Sequence, residues 1–134
     1  MRTDQIVQTV VVPTSPDVVY EAFVNPQKHA AFTESPASGE ERVGGKFSAW
    51  DGYIFGRYLE LEPGKRIVAE WQTTEWPQGY PPSRLELVFT PQGTGVKISL
   101  THSDVPSEQK ESYAQGWEDF YWEPLRQYFK PATG

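Results

Sequence analysis

Between Ser107 and Phe129 the chain places Tyr113, Trp117, Phe120, Tyr121, Pro124 and Tyr128 at steps of three and four residues. Residues so spaced share one face of an α-helix, so this segment predicts a long C-terminal helix with an aromatic stripe. Such a stripe has to be covered, which restricts the chain to folds that set a large apolar surface against its last helix. Trp122 and Phe129 fall outside the stripe and are expected on its flank, nearer solvent. Ser107 is the expected N-cap, and Pro124 is expected to kink the helix because it lacks a backbone donor.

The covering surface is legible upstream. Val96, Ile98, Leu100 and His102 alternate with Lys97, Ser99 and Thr101, and Leu85, Leu87 and Phe89 alternate with Arg84, Glu86 and Val88. Ile67, Ala69 and Trp71 oppose Val68, Glu70 and Gln72 in the same way. Period-two alternation describes strands with one covered face and one wet face. Gly44-Gly45, Asp51-Gly52, Pro63-Gly64 and Gln92-Gly93 punctuate the run as turns of an antiparallel meander. With Gln5–Val12 this makes about six strands. Ser15-Pro16-Asp17 opens a short helix that ends at Asn25-Pro26, and a second short helix covers Gln27–Phe32. The expected fold is therefore α+β: a curved antiparallel sheet wrapped around the long C-terminal helix, with two short helices after the first strand. A single domain is expected over residues 1–134.

Composition excludes several functions. A net charge of −6 with scattered cations does not suit a nucleic-acid partner. No apolar run is long enough to span a bilayer, and Met1–Ile6 does not have the pattern of a signal peptide, so cytoplasm is the expected location. Cysteine is absent and there are two histidines, so neither a metal site nor any other cofactor is expected.

Gly44-Gly45-Lys46-Phe47, Asp51-Gly52, Gly56, Leu59 to Pro63, Ile67 to Trp71, Trp76-Pro77-Gln78-Gly79 and Gly116 to Tyr121 run in colinear blocks over almost the whole chain. In this they resemble the C-terminal domain of the activator of heat-shock protein 90 ATPase, within the START-like, helix-grip (SRPBCC, Bet v-like) superfamily. The resemblance implies a helix-grip fold with a cavity for apolar ligands, and a chaperone cofactor of the stress response. The separate N-terminal domain of the eukaryotic co-chaperone, with its activation motif, has no counterpart here, so weak stimulation at most is expected.

The candidate site is the wall between sheet and helix: Trp71, Phe89, Ile98, Leu100 and His102 from strands, with Tyr113, Trp117, Phe120 and Tyr121 from the helix. Phe47, Phe55 and Tyr58 are further candidates. The expected occupant is a small hydrophobic or aromatic molecule, oriented by His102 and the tyrosine hydroxyls. Equally, His102 reads as a buried histidine bonded to a nearby hydroxyl or backbone group, and the stripe as plain core. His29 is expected at the surface. Trp76 and Tyr80, in the proline-rich loop, read as a lid or partner contact, or as caps folded onto the sheet end. No nucleophile–base pair is evident: Ser103 and Asp104 follow His102 directly, and neighbours on a strand point to opposite faces. The expectation is a non-enzymatic binding domain. A module contacting a chaperone of the heat-shock protein 90 type is the alternative, and a polyketide cyclase-like enzyme a third, with His102 its one evident acid or base.

Overall fold

The structure, a computed structural model, describes residues 2–130; Met1 and residues 131–134, at the ends of the expected 1–134 domain, lie outside them. Strand β1 (Thr3–Val12) turns Ile6, Val10 and Val12 inward and leaves Val7 and Val11 exposed. Helix α1 (Pro16–Val24) starts where Ser15 Oγ accepts the Val18 N–H at 3.3 Å, a cap worth about 1 kcal/mol. Asn25 closes α1 and opens α2 (Pro26–Thr33): its Oδ1 accepts the Lys28 N–H at 3.0 Å. Pro26, which has no N–H to continue the first helix, suits the first position of the second.

The remaining strands are β2 (Ser38–Gly39), β3 (Lys46–Ala49), β4 (Ile54–Glu62), β5 (Arg66–Thr73), β6 (Ser83–Gln92) and β7 (Gly95–Pro106). All neighbours are antiparallel, in the order β1-β7-β6-β5-β4-β3-β2. The sheet therefore has seven strands rather than six; two-residue β2 is too short to leave a periodic signal. At Gly56 a Cβ would lie 1.9 Å from Glu70 O and 2.9 Å from Phe47 Cζ. The missing side chain lets the Phe47 ring settle on Tyr58, with centroids 4.8 Å apart.

The inward faces of β5, β6 and β7 follow the sequence alternation, with Ile67, Ala69, Trp71, Leu85, Leu87, Phe89, Ile98 and Leu100 all buried. On the outer face the carboxylates are paired rather than free: Arg57 meets Glu70 at 2.6 Å, and Arg66 meets Glu86 at 2.7 Å and Glu60 at 2.9 Å.

The C-terminal helix is not uniform. A 3₁₀ turn (Ser107–Gln109) leads into α3 (Lys110–Trp117), a π turn (Glu118–Trp122) and α4 (Glu123–Tyr128). Ser107 makes no side-chain cap. The π turn sits one residue before Pro124: the Glu123 N–H reaches back five residues to Glu118 O. Pro124 has no N–H to give to residue 120, and its ring would crowd that carbonyl in α geometry, so the widened turn relieves both problems. The extra residue in this turn rotates the later side chains about the helix axis. Trp122, expected on the flank, is buried, whereas Phe120 and Tyr128, expected on the stripe, are 51% and 55% exposed.

Candidate functional site

Trp117 and Tyr121, one turn apart, carry the helix into the sheet, and each ends on a buried histidine. An indole N–H can only donate, so Trp117 Nε1 gives its proton to His102 Nδ1 at 3.1 Å. A carbonyl can only accept, so Ser83 Oγ donates to Trp71 O at 2.6 Å. The proton of the neutral His102 ring is thereby fixed on Nε2, which donates to Ser83 Oγ at 2.8 Å. His102 is fully enclosed, and burial pushes its pKa down to about 3. Its ring stands edge-on to Trp71 at 4.6 Å.

A second relay lies outside the expected wall. His29, expected at the surface, is buried under the helix. It must donate from Nδ1 to Phe23 O at 3.0 Å, which leaves Nε2 to accept the Tyr121 hydroxyl at 2.9 Å. Burial lowers the His29 pKa, opposed by the bond to Phe23, and burial raises that of Tyr121. The turn at Asn25-Pro26 aims His29 inward, and only that tight junction in the sequence hints at it. Trp122 Nε1 donates to Gln8 Oε1 at 2.7 Å, while Gln8 Nε2 donates to Ala114 O at 3.0 Å. A glutamine in an inward register of β1, between Ile6 and Val10, is the signal that could have found this pairing.

The space left inside is small. A void of about 40 Å³ is bounded by Phe47, Tyr58, Trp71, Trp117, Tyr121 and His29, among others. A second, about 70 Å³, lies between Tyr53 on the β3–β4 side and Tyr113, Gly116 and Phe120 on the helix. Trp71, Ile54, Trp117 and Tyr121 border both, so these four side chains partition what would otherwise be one space. A typical ligand pocket is roughly 300–1,000 Å³. Of the expected wall, Trp71, Trp117 and Tyr121 border both voids, and Tyr113 and Phe120 the second. Phe89, Ile98, Leu100 and His102 border neither: they face inward as expected, but other side chains cover them. Phe89 is taken up by Tyr20 and Phe23 of α1, at 6.1 and 6.0 Å. Phe47 and Tyr58 border the first void, and Phe55 lies on the other face.

Trp76 folds back, stacked 5.9 Å from Tyr113, with Nε1 donating to Pro81 O at 3.0 Å. The Tyr80 hydroxyl accepts the Arg2 N–H at 3.4 Å. Phe120, which borders the second void, meets the ring of Trp50 edge-on, with centroids 5.1 Å apart. Asp51 and Gly52 form the hairpin turn with positive φ, as the sequence signal requires, but Trp50 before them also has φ 54°. A tryptophan in that conformation costs about 1–2 kcal/mol. Its Nε1 is buried without a hydrogen-bond partner among the described residues, although it faces the Tyr121 hydroxyl closely enough to favour the phenolate slightly.

Chemically, the interior is an aromatic clamp. Both histidines have both nitrogens engaged, and among the described residues no group of three His, Asp or Glu could hold a metal ion. No described helix is long and apolar enough to cross a membrane.

A seven-stranded antiparallel sheet gripping a C-terminal helix, with two short helices after β1, defines a START-like, helix-grip protein. Within that class the chain belongs to the family described as "Activator of Hsp90 ATPase homolog 1-like protein", whose model matches residues 13–130. The human activator of 90 kDa heat shock protein ATPase homolog 1 is 33% identical over 116 residues, which cover 87% of this chain and 34% of the relative. The Dictyostelium discoideum homologue is 33% identical over 105 residues, or 78% and 27%. The chain thus spans about a third of the length of the curated relatives it matches. Among solved structures, an HSP90 activator from Plasmodium falciparum superposes with a TM-score of 0.84 at 24% identity, covering 92% of this chain and 94% of that one. The Aha1 dimer from Colwellia psychrerythraea gives 0.81 at 16% identity, covering 98% and 99%. At these identities the two structures share the fold.

Proposed function

We propose that this chain is a non-enzymatic chaperone-binding module, acting in the cytoplasm on the ATPase cycle of a heat-shock protein 90-type chaperone. The observation that carries this reading is the family match over residues 13–130 on an interior that is nearly filled. With two voids of only about 40 and 70 Å³ left and both histidines committed to the fold, the outer surface is what the chain has to offer a partner. The test is to mix the purified chain with the cognate chaperone, follow complex formation calorimetrically and measure ATP hydrolysis. Binding with a modest rise in turnover is the expected result. No heat of binding at tens of micromolar and an unchanged rate would defeat the reading.

A second reading is favoured by the partition. If Trp117 and Tyr121 moved aside, the two voids would join into a pocket walled by Trp71, Trp117 and Tyr121, suited to a small flat apolar molecule. Titration with flat aromatics and sterols, read by tryptophan fluorescence, should then saturate. A linear, non-saturating response would remove it.

A further inference from the structure

We infer that the cleft between the β3–β4 turn and the C-terminal helix is the docking surface for a partner segment that presents one bulky apolar side chain flanked by lysine or arginine. This rests on the chaperone-binding reading above and names the surface and the chemistry it selects. Three observations combine here. Phe120 is 51% exposed, on a helix whose other inward aromatics are covered, because the π turn rotates it out of the core. Beside it Gly116 has no side chain, and a Cβ placed there would find only Phe120 Cδ2, at 3.6 Å. The resulting cleft of about 70 Å³, floored by Trp71 and Trp117 and walled by Tyr53, Tyr113 and Phe120, has room for a single side chain and not for a typical ligand.

Charge around the cleft decides what that side chain is attached to. Asp51 follows Trp50, Glu75 accepts the hydroxyl of Tyr53 at 2.6 Å, Glu111 precedes Ser112 on the rim, and Asp119 precedes Phe120. All four are exposed. The segments that build the cleft, residues 50–54, 71–76 and 108–121, contain one cation, Lys110. An aromatic slot inside an acidic rim accepts an apolar anchor between cations and repels the same anchor between carboxylates.

The test uses two capped hexapeptides, Lys-Lys-Phe-Leu-Lys-Lys and Glu-Glu-Phe-Leu-Glu-Glu, titrated against the whole chain by tryptophan fluorescence and calorimetry. The lysine peptide should saturate and the glutamate peptide bind at least about tenfold more weakly, with the difference shrinking at high salt. Gly116→Leu fills the cleft while replacing a helix glycine by a better helix former, and should abolish binding. The pair Glu111→Lys and Asp119→Lys should reverse the peptide preference. Equal binding of both peptides, or binding that survives Gly116→Leu, overturns the proposal, as does saturation by 1-aminoanthracene alone with neither peptide binding. The same variants in the chaperone assay separate the two levels. If Gly116→Leu binds the chaperone as wild type does, the surface is wrong and the function stands. If wild type ignores the chaperone but takes the lysine peptide, the function is wrong and the surface stands.

Discussion

Trp117 gives its indole proton to Nδ1 of His102, and in doing so fixes a histidine on the central face of the sheet as a neutral acceptor. The opposite nitrogen continues through Ser83 to the backbone of Trp71, so one relay ties helix, β7, β6 and β5 together. Of the readings the sequence allows for His102, the bonds to Ser83 and Trp117 match the buried histidine tied to a nearby hydroxyl, and they hold the helix down.

Acid should loosen that relay. His102 titrates near 3 in the folded chain, and the His29 pKa is also lowered, against about 6.5 for either in the unfolded chain. Between those values the unfolded state binds more protons, so stability is complete above about pH 6.5 and falls as the pH drops through the folded pKa. Each histidine contributes up to about 1.4 kcal/mol per pH unit across its window. Urea unfolding at pH 7, 6, 5 and 4 should show this slope. His102→Gln keeps an acceptor for Trp117 and a donor for Ser83 but cannot titrate, so its slope should be lower by close to one proton. An unchanged slope would mean that His102 is not the group being charged.

Tyr121 supplies the equivalent connection to α2. Tyr121→Phe removes the proton that His29 Nε2 accepts and leaves a buried acceptor unsatisfied, at a cost of about 1–3 kcal/mol. The loss is expected as a lower denaturant midpoint with an unchanged m value. A midpoint equal to wild type would show that water replaces the hydroxyl.

The parts of this arrangement that sequence reveals are those with a period. Ile67, Ala69, Trp71, Leu85, Leu87, Ile98 and Leu100 alternate, and alternation specifies which face is covered. Past Trp117 the helix stripe is legible for Tyr121 but not for Phe120, Trp122 or Tyr128, because the spacing rule assumes 3.6 residues per turn and the π turn breaks it at Glu118. That one change moves Trp122 in and Phe120 out. Pro124 was the available warning: it marks where α geometry cannot continue without showing which way the chain will yield. The candidate wall fared unevenly for a different reason. Alternation places Phe89, Ile98 and His102 inward but does not show that α1 and the helix reach them before any void does.

Gln8 tests whether the shifted register is held by polar contacts. Gln8→Glu can still accept from Trp122 Nε1 but cannot donate to Ala114 O, and it brings a charge against the helix. A loss of about 1–3 kcal/mol is expected at neutral pH, with part of it recovered in acid as the carboxyl protonates and regains a donor. Gln8→Met, which fills similar space without hydrogen bonds, should lose stability without any recovery in acid. If both variants show the same pH dependence, the Ala114 bond does not contribute.

The strained tryptophan provides the last test. Trp50 holds a backbone conformation that asparagine adopts more readily, so Trp50→Asn relieves backbone strain while deleting the ring that meets Phe120 at 5.1 Å. Those two effects oppose each other in a single variant, and its stability alone would be uninterpretable. A cycle with Phe120→Ala isolates the ring contact, because the backbone term is common to both Trp50→Asn variants and cancels. An aromatic pair at this geometry should return a coupling of about 0.5–1.5 kcal/mol from chemical unfolding. A coupling below about 0.3 kcal/mol, within the scatter of additive sites, would mean that Trp50 and Phe120 do not brace one another. The strain at Trp50 would then have to be held by the backbone bond from the Asp51 N–H to Pro36 O at 3.0 Å.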